Sequence, residues 1–200
     1  MTITPEDEVA RRLAAVRQRI HDAALAWHRD PDAVSLLAVS KRQPVAALRA
    51  AIAAGQHAFG ENYLQEGAEK RRALLDEPVT WHFVGAIQSN KTRAVAEGFD
   101  WVHTVDRLKI ARRLSEQRPD GRAPLQCCLQ VNVSGEASKS GAPPAAVPEL
   151  AHAIAALPNI RLRGLMTLPE AVTEFENQRA AFRQLREQQH ALIDGGLELD

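Results

Sequence analysis

Short apolar stretches alternate with longer helical stretches along almost the whole chain. The first element is helical, because apolar residues recur every three or four positions between residues 6 and 29. Six pairs of one strand and one helix then follow without a long linker. Strict alternation of this kind places the strands parallel in one sheet and lays the helices over its faces. The pattern therefore predicts a parallel α/β fold behind a leading helix.

The element boundaries follow from turn residues and from changes of period. The predicted strands are 34–41, 58–63, 79–87, 101–105, 125–133 and 160–168. The predicted helices are 6–29, 45–54, 64–75, 90–97, 106–117, 144–156 and 171–193. No low-complexity segment separates these elements, so we expect one domain over residues 1–200.

The alternation fits either an open sheet or a closed barrel. No GxGxxG or Walker motif follows the first strand, which weakens the case for a nucleotide-binding open sheet. A (β/α)8 barrel needs eight strands and typically about 250 residues. The sequence ends at GGLELD, where a seventh strand would begin. Periodicity alone therefore predicts a parallel α/β fold and leaves an incomplete barrel as one of its forms.

Charge and composition argue against several classes of partner. The 25 basic and 25 acidic residues cancel, so no net field favours nucleic acid or an anionic membrane. The first eight residues are polar and acidic, unlike a signal peptide, and no apolar run approaches the ~20 residues that cross a bilayer. We therefore expect a cytoplasmic protein with no membrane or nucleic-acid partner.

The two cysteines, Cys127 and Cys128, are adjacent on a predicted strand. Neighbouring strand residues point to opposite faces, so these thiols are not expected to bond to each other. The sequence has no CxxC motif, and no histidine stands at ligand spacing from them. We expect buried thiols in a reducing compartment, and no metal site.

Polar side chains follow or end most of the predicted strands. Binding sites of parallel α/β folds form at the carboxyl ends of the strands, so these residues are the candidates for chemistry. The residues singled out there are Lys41, Glu61, Asn62, His82, His103, Asn132, Lys139 and Met166.

Lys41 ends the first predicted strand, after the apolar run LLAVS. If its side chain points inward, its amine is partly desolvated, its pKa falls and it can form a Schiff base with a carbonyl. If the side chain points outward, it simply extends to solvent. Pattern alone favours the outward orientation.

The ionisable residues on the next strands have ordinary explanations as well. Glu61 is a candidate acid or base, or a carboxylate that pairs with Lys41 or Lys91. His82 and His103 lie within strands, where histidines more often complete a core than catalyse a reaction.

Six segments together resemble the pyridoxal-phosphate homeostasis protein family (YggS/PROSC type). They are LLAVSKRQP, AGQHAFGENYLQEG, WHFVGAIQSNK, HTVDR, QVNVSGEASKSG and LRGLMTLPE, in that order. Any one of them alone is a weak signal, but the ordered set is specific. The resemblance runs from about residue 34 to residue 169.

The resemblance implies a (β/α)8 barrel of the alanine racemase N-terminal kind. It implies pyridoxal 5′-phosphate held as a Schiff base on Lys41, with Asn62, His82, Asn132 and Met166 around it. Lys139, in the SKSG segment, is a secondary candidate for cofactor exchange. The implied function is intracellular buffering or delivery of the cofactor to apo-enzymes by a monomer or weak dimer, without established catalysis.

The sequence departs from the family pattern at its end. Family members continue with a Ser-Met-Gly-Met-Ser segment and an Arg-Ile-Gly segment, which hold the phosphate and the pyridine nitrogen. Neither segment is present before Asp200. We therefore expect a C-terminally incomplete barrel without strands seven and eight, and phosphate-binding residues beyond residue 200.

Two other functions remain open from the sequence. A pyridoxal-phosphate-dependent racemase or decarboxylase would use the same lysine, but two-base racemization needs an acid on the opposite face of the cofactor. The single tyrosine, Tyr63, and the lack of a second domain argue against it. A cofactor-free Schiff-base aldolase would need an acid or a second lysine near Lys41, and no residue is clearly placed for that role.

Overall fold

A computed structural model describes residues 4–136, 140–170 and 173–200 of the chain. It confirms the α/β alternation and the leading helix. The strands in the described residues are β1 (Ala38–Val39), β2 (Ala58–Glu61), β3 (Thr80–Phe83), β4 (Trp101–Val105), β5 (Leu125–Gln130) and β6 (Ile160–Met166). The helices are α1 (Pro5–Ala26), α2 (Val45–Ala53), α3 (Leu64–Ala73), α4 (Thr92–Gly98), α5 (Leu108–Glu116), α6 (Val147–Ala155) and α7 (Phe175–Asp194).

The six strands form one sheet whose spatial order is the chain order, β1-β2-β3-β4-β5-β6. The β1/β2, β3/β4, β4/β5 and β5/β6 pairs are all parallel, as strict strand–helix alternation predicts. The chain divides into two compact units, Met1–Trp81 and His82–Asp200. The single domain over residues 1–200 stays a prediction.

The leading helix begins at a capping box. The Thr4 hydroxyl accepts a hydrogen bond from the Asp7 amide, and the Asp7 carboxylate accepts one from the Thr4 amide. Pro5, at the first helical position, lacks the N–H that would have no partner there. Helix α1 then packs against α2.

The core of the first unit is built from α2, α3 and β2. Leu48, Phe59 and Leu74 are almost completely buried. The rings of Phe59 and Trp81 pack with their centroids 6.1 Å apart. Gly55 has a positive φ of 79° just beyond the end of α2, where glycine closes a helix without a steric penalty.

The first strand is much shorter than the predicted range 34–41. Only Ala38 and Val39 pair with β2, and Val39 is 51% exposed, so the strand is not fully buried. The Gln56 side-chain amide donates to the carbonyl oxygens of Leu36 and Ala58. The Gln56 side chain thus takes the Leu36 carbonyl, which a longer β1 would use to pair with β2. This explains why pairing begins only at Ala38.

The core of the second unit lies between strands β4 to β6 and helices α5 and α6. Helix α5 contacts β4 and β6, and α6 contacts β6. The fully buried apolar residues there include Val102, Ile110, Leu114, Leu125, Leu129 and Ile154. Strand β5 ends at Gln130, three residues before its predicted end, because a turn begins after Asn132.

The cysteines confirm the prediction of two unbonded thiols. Cys127 is buried and Cys128 is half-buried in β5, and both are free. Burial raises the pKa of the Cys128 thiol to about 12. Both side chains therefore behave as small apolar groups at neutral pH.

Among the described residues, no helix is both long enough and apolar enough to span a membrane.

Leu74 and Leu75 offer a matched test of core packing, since they are adjacent and 1% and 80% exposed. We expect Leu74→Ala to lower the free energy of unfolding by about 2–5 kcal/mol, because it leaves a cavity beside α3. Leu75→Ala should change it by less than about 0.5 kcal/mol. Urea unfolding followed by circular dichroism measures both, and equal losses would contradict the assigned burial.

Candidate functional site

Lys41 lies in a turn directly after β1. The Gln43 amide donates to the Ser40 carbonyl at 3.0 Å, which closes the turn, and the Ser40 amide donates to Gly60 in β2 at 2.9 Å. The Lys41 side chain is exposed. The amine of Lys41 can therefore be reached from solvent.

The next residue, Arg42, has a positive φ of 60°. A turn that needs positive φ at its third position normally has glycine or asparagine there. For an arginine this conformation costs about 1 kcal/mol, so neighbouring contacts must hold it. One such contact is a hydrogen bond from the Arg42 amide to the Glu66 carboxylate in α3.

A buried ammonium group, that of Lys70 in α3, lies beneath this turn. Lys70 is 4% exposed, and its Nζ donates to the Ser40 carbonyl at 2.6 Å. It also contacts the Oε1 atoms of Glu61 at 2.8 Å and Glu66 at 2.6 Å. The sequence leaves Lys41 and Lys91 open as partners of Glu61; the structure gives Lys70 instead.

The two carboxylates around Lys70 differ in exposure. Glu61 is completely buried, and its Oε1 also accepts a hydrogen bond from the Ser40 hydroxyl at 2.6 Å. Glu66 lies nearer the surface. Its hydrogen bonds from the Lys70 ammonium and then from the Arg42 amide hold the pKa of its carboxyl below the usual value. Glu66 is therefore ionised at neutral pH and pairs with the ammonium.

Asn62 follows β2 at the same edge as Lys41 follows β1, because the two strands are paired in parallel. Its side chain is half-buried, and its Oδ1 atom is buried without a hydrogen-bond partner in the described part of the chain. Buried polar atoms are normally paired, so this oxygen is suited to accept a donor from a bound molecule.

In the second unit, Asn132 and Met166 lie at neighbouring strand ends. Met166 is the last residue of β6, and its carbonyl accepts a hydrogen bond from the Val131 amide at 2.8 Å. The Asn132 side chain donates to the Glu136 carbonyl at 2.8 Å and accepts from the Gly135 amide at 3.1 Å. Asn132 therefore shapes the turn that follows β5.

His82 belongs to a stack of rings in the same unit. Its Nδ1 lies 2.9 Å from Nε2 of His103, and its ring stacks on Trp101 with centroids 5.4 Å apart. The guanidinium of Arg163 lies over the Trp101 ring, 4.9 Å from its centroid. The register pairs His82 with Trp101, the first residue of β4, so the structure groups His82 with these rings rather than with Asn132 and Met166.

Both histidines of the stack are shifted toward the neutral form. Burial first, and then the charge of His103, lower the pKa of His82 to about 3. Burial also lowers the pKa of His103. With both rings neutral, one ring donates its N–H to the unprotonated nitrogen of the other.

Lys139, the remaining predicted site residue, lies outside the described residues. Elsewhere in the chain, no group of three or more histidine, cysteine, aspartate or glutamate side chains in the described ranges is arranged to hold a metal ion.

Comparison with known sequences identifies the family. The family model of the alanine racemase N-terminal domain matches residues 11–196. A pyridoxal phosphate homeostasis protein of Pseudomonas aeruginosa is 60% identical over 192 residues, which are 96% of this chain and 82% of that protein. The Escherichia coli protein of the same name is 50% identical over 90% of this chain and 78% of its own length.

The chain belongs to the pyridoxal phosphate homeostasis protein family.

Solved structures agree with this family and its fold. PipY of Synechococcus elongatus with pyridoxal phosphate bound is 35% identical, with a TM-score of 0.82 over 96% of this chain and 84% of PipY. Alanine racemase from Corynebacterium glutamicum is 18% identical, with a TM-score of 0.68 over 96% of this chain and 51% of the racemase. The second likeness concerns the fold alone, and it confirms the alanine racemase N-terminal fold of this family member.

Sequence reasoning misses Lys70 in this family member. The residue lies in the charged segment AEKRRA, which reads as a solvated helix face. One signal was available: Glu66 and Lys70 are four residues apart in a helix, the spacing of a stabilising ion pair. That spacing does not reveal that the pair is buried, because burial depends on the turn after β1.

The histidine pair predicts acid sensitivity of this family member. The folded protein keeps His82 neutral to about pH 3, whereas the unfolded chain protonates it near pH 6.5. The unfolded state therefore binds more protons as the pH falls through this window, and the free energy of unfolding decreases. His82→Gln should reduce the difference between urea midpoints at about pH 7.5 and about pH 5.

His190→Gln is the matched control, since His190 is an exposed histidine in α7. It should keep the wild-type pH dependence. A His82→Gln variant with an unchanged pH dependence would contradict the assignment of a buried neutral histidine.

Proposed function

We propose that this chain is a pyridoxal 5′-phosphate-binding protein that buffers or delivers the cofactor inside the cell, without catalytic turnover. The observation that carries the proposal is the match to PipY with pyridoxal phosphate bound, at 35% identity over 96% of this chain. Relatives at 50–60% identity that are named as pyridoxal phosphate homeostasis proteins support it.

Lys41 supplies the group that this function requires. When bound, pyridoxal phosphate supplies an aldehyde, which condenses with a primary amine to give a Schiff base and one water. Lys41 is exposed in a turn at the carboxyl end of β1, where parallel α/β folds bind ligands. We propose Lys41 as the residue that holds the cofactor covalently.

Asn62 fits the same site. It follows the strand next to β1, and its buried Oδ1 has no partner within the described ranges, so a donor on the cofactor would satisfy it. His82, Asn132 and Met166 are proposed as further cofactor-binding residues, and Lys139 as a residue of cofactor exchange. For these four residues the support is the resemblance of their sequence segments.

The assignment as a carrier rather than an enzyme has two supports. The relatives at 50–60% identity carry the names of homeostasis proteins, not of enzymes. Two-base racemization needs an acid on the opposite face of the cofactor, which pyridoxal-phosphate-dependent racemases often take from a tyrosine. This sequence has a single tyrosine, Tyr63, which argues against that reaction. We further propose a cytoplasmic monomer or weak dimer that passes the cofactor to apo-enzymes.

Loss of the amine tests the proposal directly. Purified protein that has been mixed with pyridoxal phosphate and freed of unbound cofactor by gel filtration should be yellow. Borohydride should then fix the label on Lys41, which peptide mass mapping would locate. Lys41→Ala should lose the visible absorbance and the label, because no other residue is proposed to form the bond. Lys109→Ala, an exposed lysine of α5, is the control and should behave like wild type.

Two outcomes would overturn this function. One is a colourless wild-type protein that takes up no pyridoxal phosphate. The other is racemization or decarboxylation of an amino acid that disappears in Lys41→Ala, since it would make the protein an enzyme.

Asn62 should matter less than Lys41. Asn62→Ala removes one hydrogen bond to the cofactor, whereas Lys41→Ala removes the covalent bond. We expect Asn62→Ala to weaken retention about tenfold, which corresponds to one hydrogen bond of ordinary strength. Dialysis followed by absorbance measures the cofactor retained, and equal loss in both variants would contradict this order.

A further inference from the structure

The Lys70 ammonium makes three close contacts, as many as it has N–H donors. Its acceptors are the Ser40 carbonyl at 2.6 Å, Glu61 Oε1 at 2.8 Å and Glu66 Oε1 at 2.6 Å. The residue is 4% exposed, so water cannot substitute for a lost partner. A charge buried in this way persists only if its partners stay in place.

Two of these contacts converge on the turn that carries Lys41. The ammonium holds the carbonyl of Ser40, the residue before Lys41. Through Glu66 it also holds the amide of Arg42, the residue after Lys41, because the same Oε1 atom accepts both bonds. The backbone on both sides of Lys41 is therefore tied to one buried side chain.

A third connection reaches the same turn. The Ser40 hydroxyl donates to Glu61 Oε1, which also accepts from Lys70. The Ser40 side chain and carbonyl are thus both held by this cluster. In the described part of the chain, no hydrogen bond or ion pair holds the ammonium of Lys41 itself. The direction of the Lys41 side chain therefore depends on the backbone of the turn.

We infer that Lys70 is a positioning residue for Lys41: its buried ammonium, together with Glu61 and Glu66, fixes the turn that aims the Lys41 amine at an incoming aldehyde. This inference rests on the proposed function, because it assigns Lys70 a role in the reaction of Lys41. Lys70 is too buried to react with the aldehyde itself.

The test measures selectivity among lysines of one protein. Substoichiometric pyridoxal phosphate is added, each amine that condenses with the aldehyde releases one water, and borohydride then reduces the C=N bond to a stable secondary amine. Peptide mass mapping gives the label on Lys41 relative to Lys91 and Lys109, which are exposed lysines elsewhere in the chain. In wild type the label should fall mainly on Lys41.

Removal of the ammonium should spread the label. In Lys70→Met the preference for Lys41 over the exposed lysines should fall about tenfold or more, because the reacting amine is no longer held in its productive geometry. A purely structural role predicts a lower thermal midpoint but an unchanged preference in the folded protein. Circular dichroism confirms that each variant is folded at the temperature of labelling.

A second variant covers the case in which Lys70→Met does not fold. Glu66→Leu leaves the buried Glu61–Lys70 pair in place but removes the acceptor of the Arg42 amide. It should lower the preference for Lys41 in the same direction, by less than Lys70→Met does. Glu69→Leu is its matched control, since Glu69 is an exposed glutamate of the same helix, and it should keep the wild-type preference.

The outcomes separate this inference from the proposed function. Wild-type protein that labels Lys41 no more than Lys91 and Lys109 overturns the proposed function and the inference with it. Selective labelling of Lys41 in wild type that persists unchanged in the folded Lys70→Met or Glu66→Leu variant overturns the inference alone. Selective labelling that is lost in these variants and kept in Glu69→Leu supports both.

Discussion

The buried ammonium of Lys70 determines the local structure around Lys41. Removing a lysine from water is costly, and the cost is offset only because three acceptors surround it. Those acceptors are Ser40 just after β1, Glu61 at the end of β2 and Glu66 in α3, so one charge joins the ends of the first two strands to the helix that follows β2. The turn that carries the exposed amine of Lys41 and the stability of the buried ammonium of Lys70 thus depend on the same few atoms.

The order and type of the elements could be predicted from the sequence, since they depend on local period. The limits of the strands could not. Strand β1 begins four residues later than predicted because the Gln56 side chain occupies the Leu36 carbonyl, a contact that no periodicity reports. Strand β5 stops at Gln130 because the Asn132 side chain organises the next turn. Hydrogen bonds from side chains to the backbone, not apolar pattern, set these ends.

Some site residues could likewise be named from the sequence, and others could not. The sequence resemblance names Lys41 and Asn62, and the structure places both directly after paired strands. The sequence does not name Lys70, because a lysine in a charged helix is ordinarily solvated. His82 illustrates the opposite case. It stands in a recognisable segment, yet its contacts are with His103 and Trp101, which belong to the neighbouring strand. Which groups face each other depends on register, and register is a property of the folded sheet.

The positive φ of Arg42 has a consequence for which residue types the turn can accept. The strain comes from the Cβ atom, so the guanidinium plays no part in it. Glycine would relax the turn, and asparagine would tolerate it, whereas valine or isoleucine would be excluded by their branched carbon. The backbone at position 42 therefore restricts which residue types can stand beside Lys41. This restriction comes from backbone geometry alone, whether or not any ligand is present.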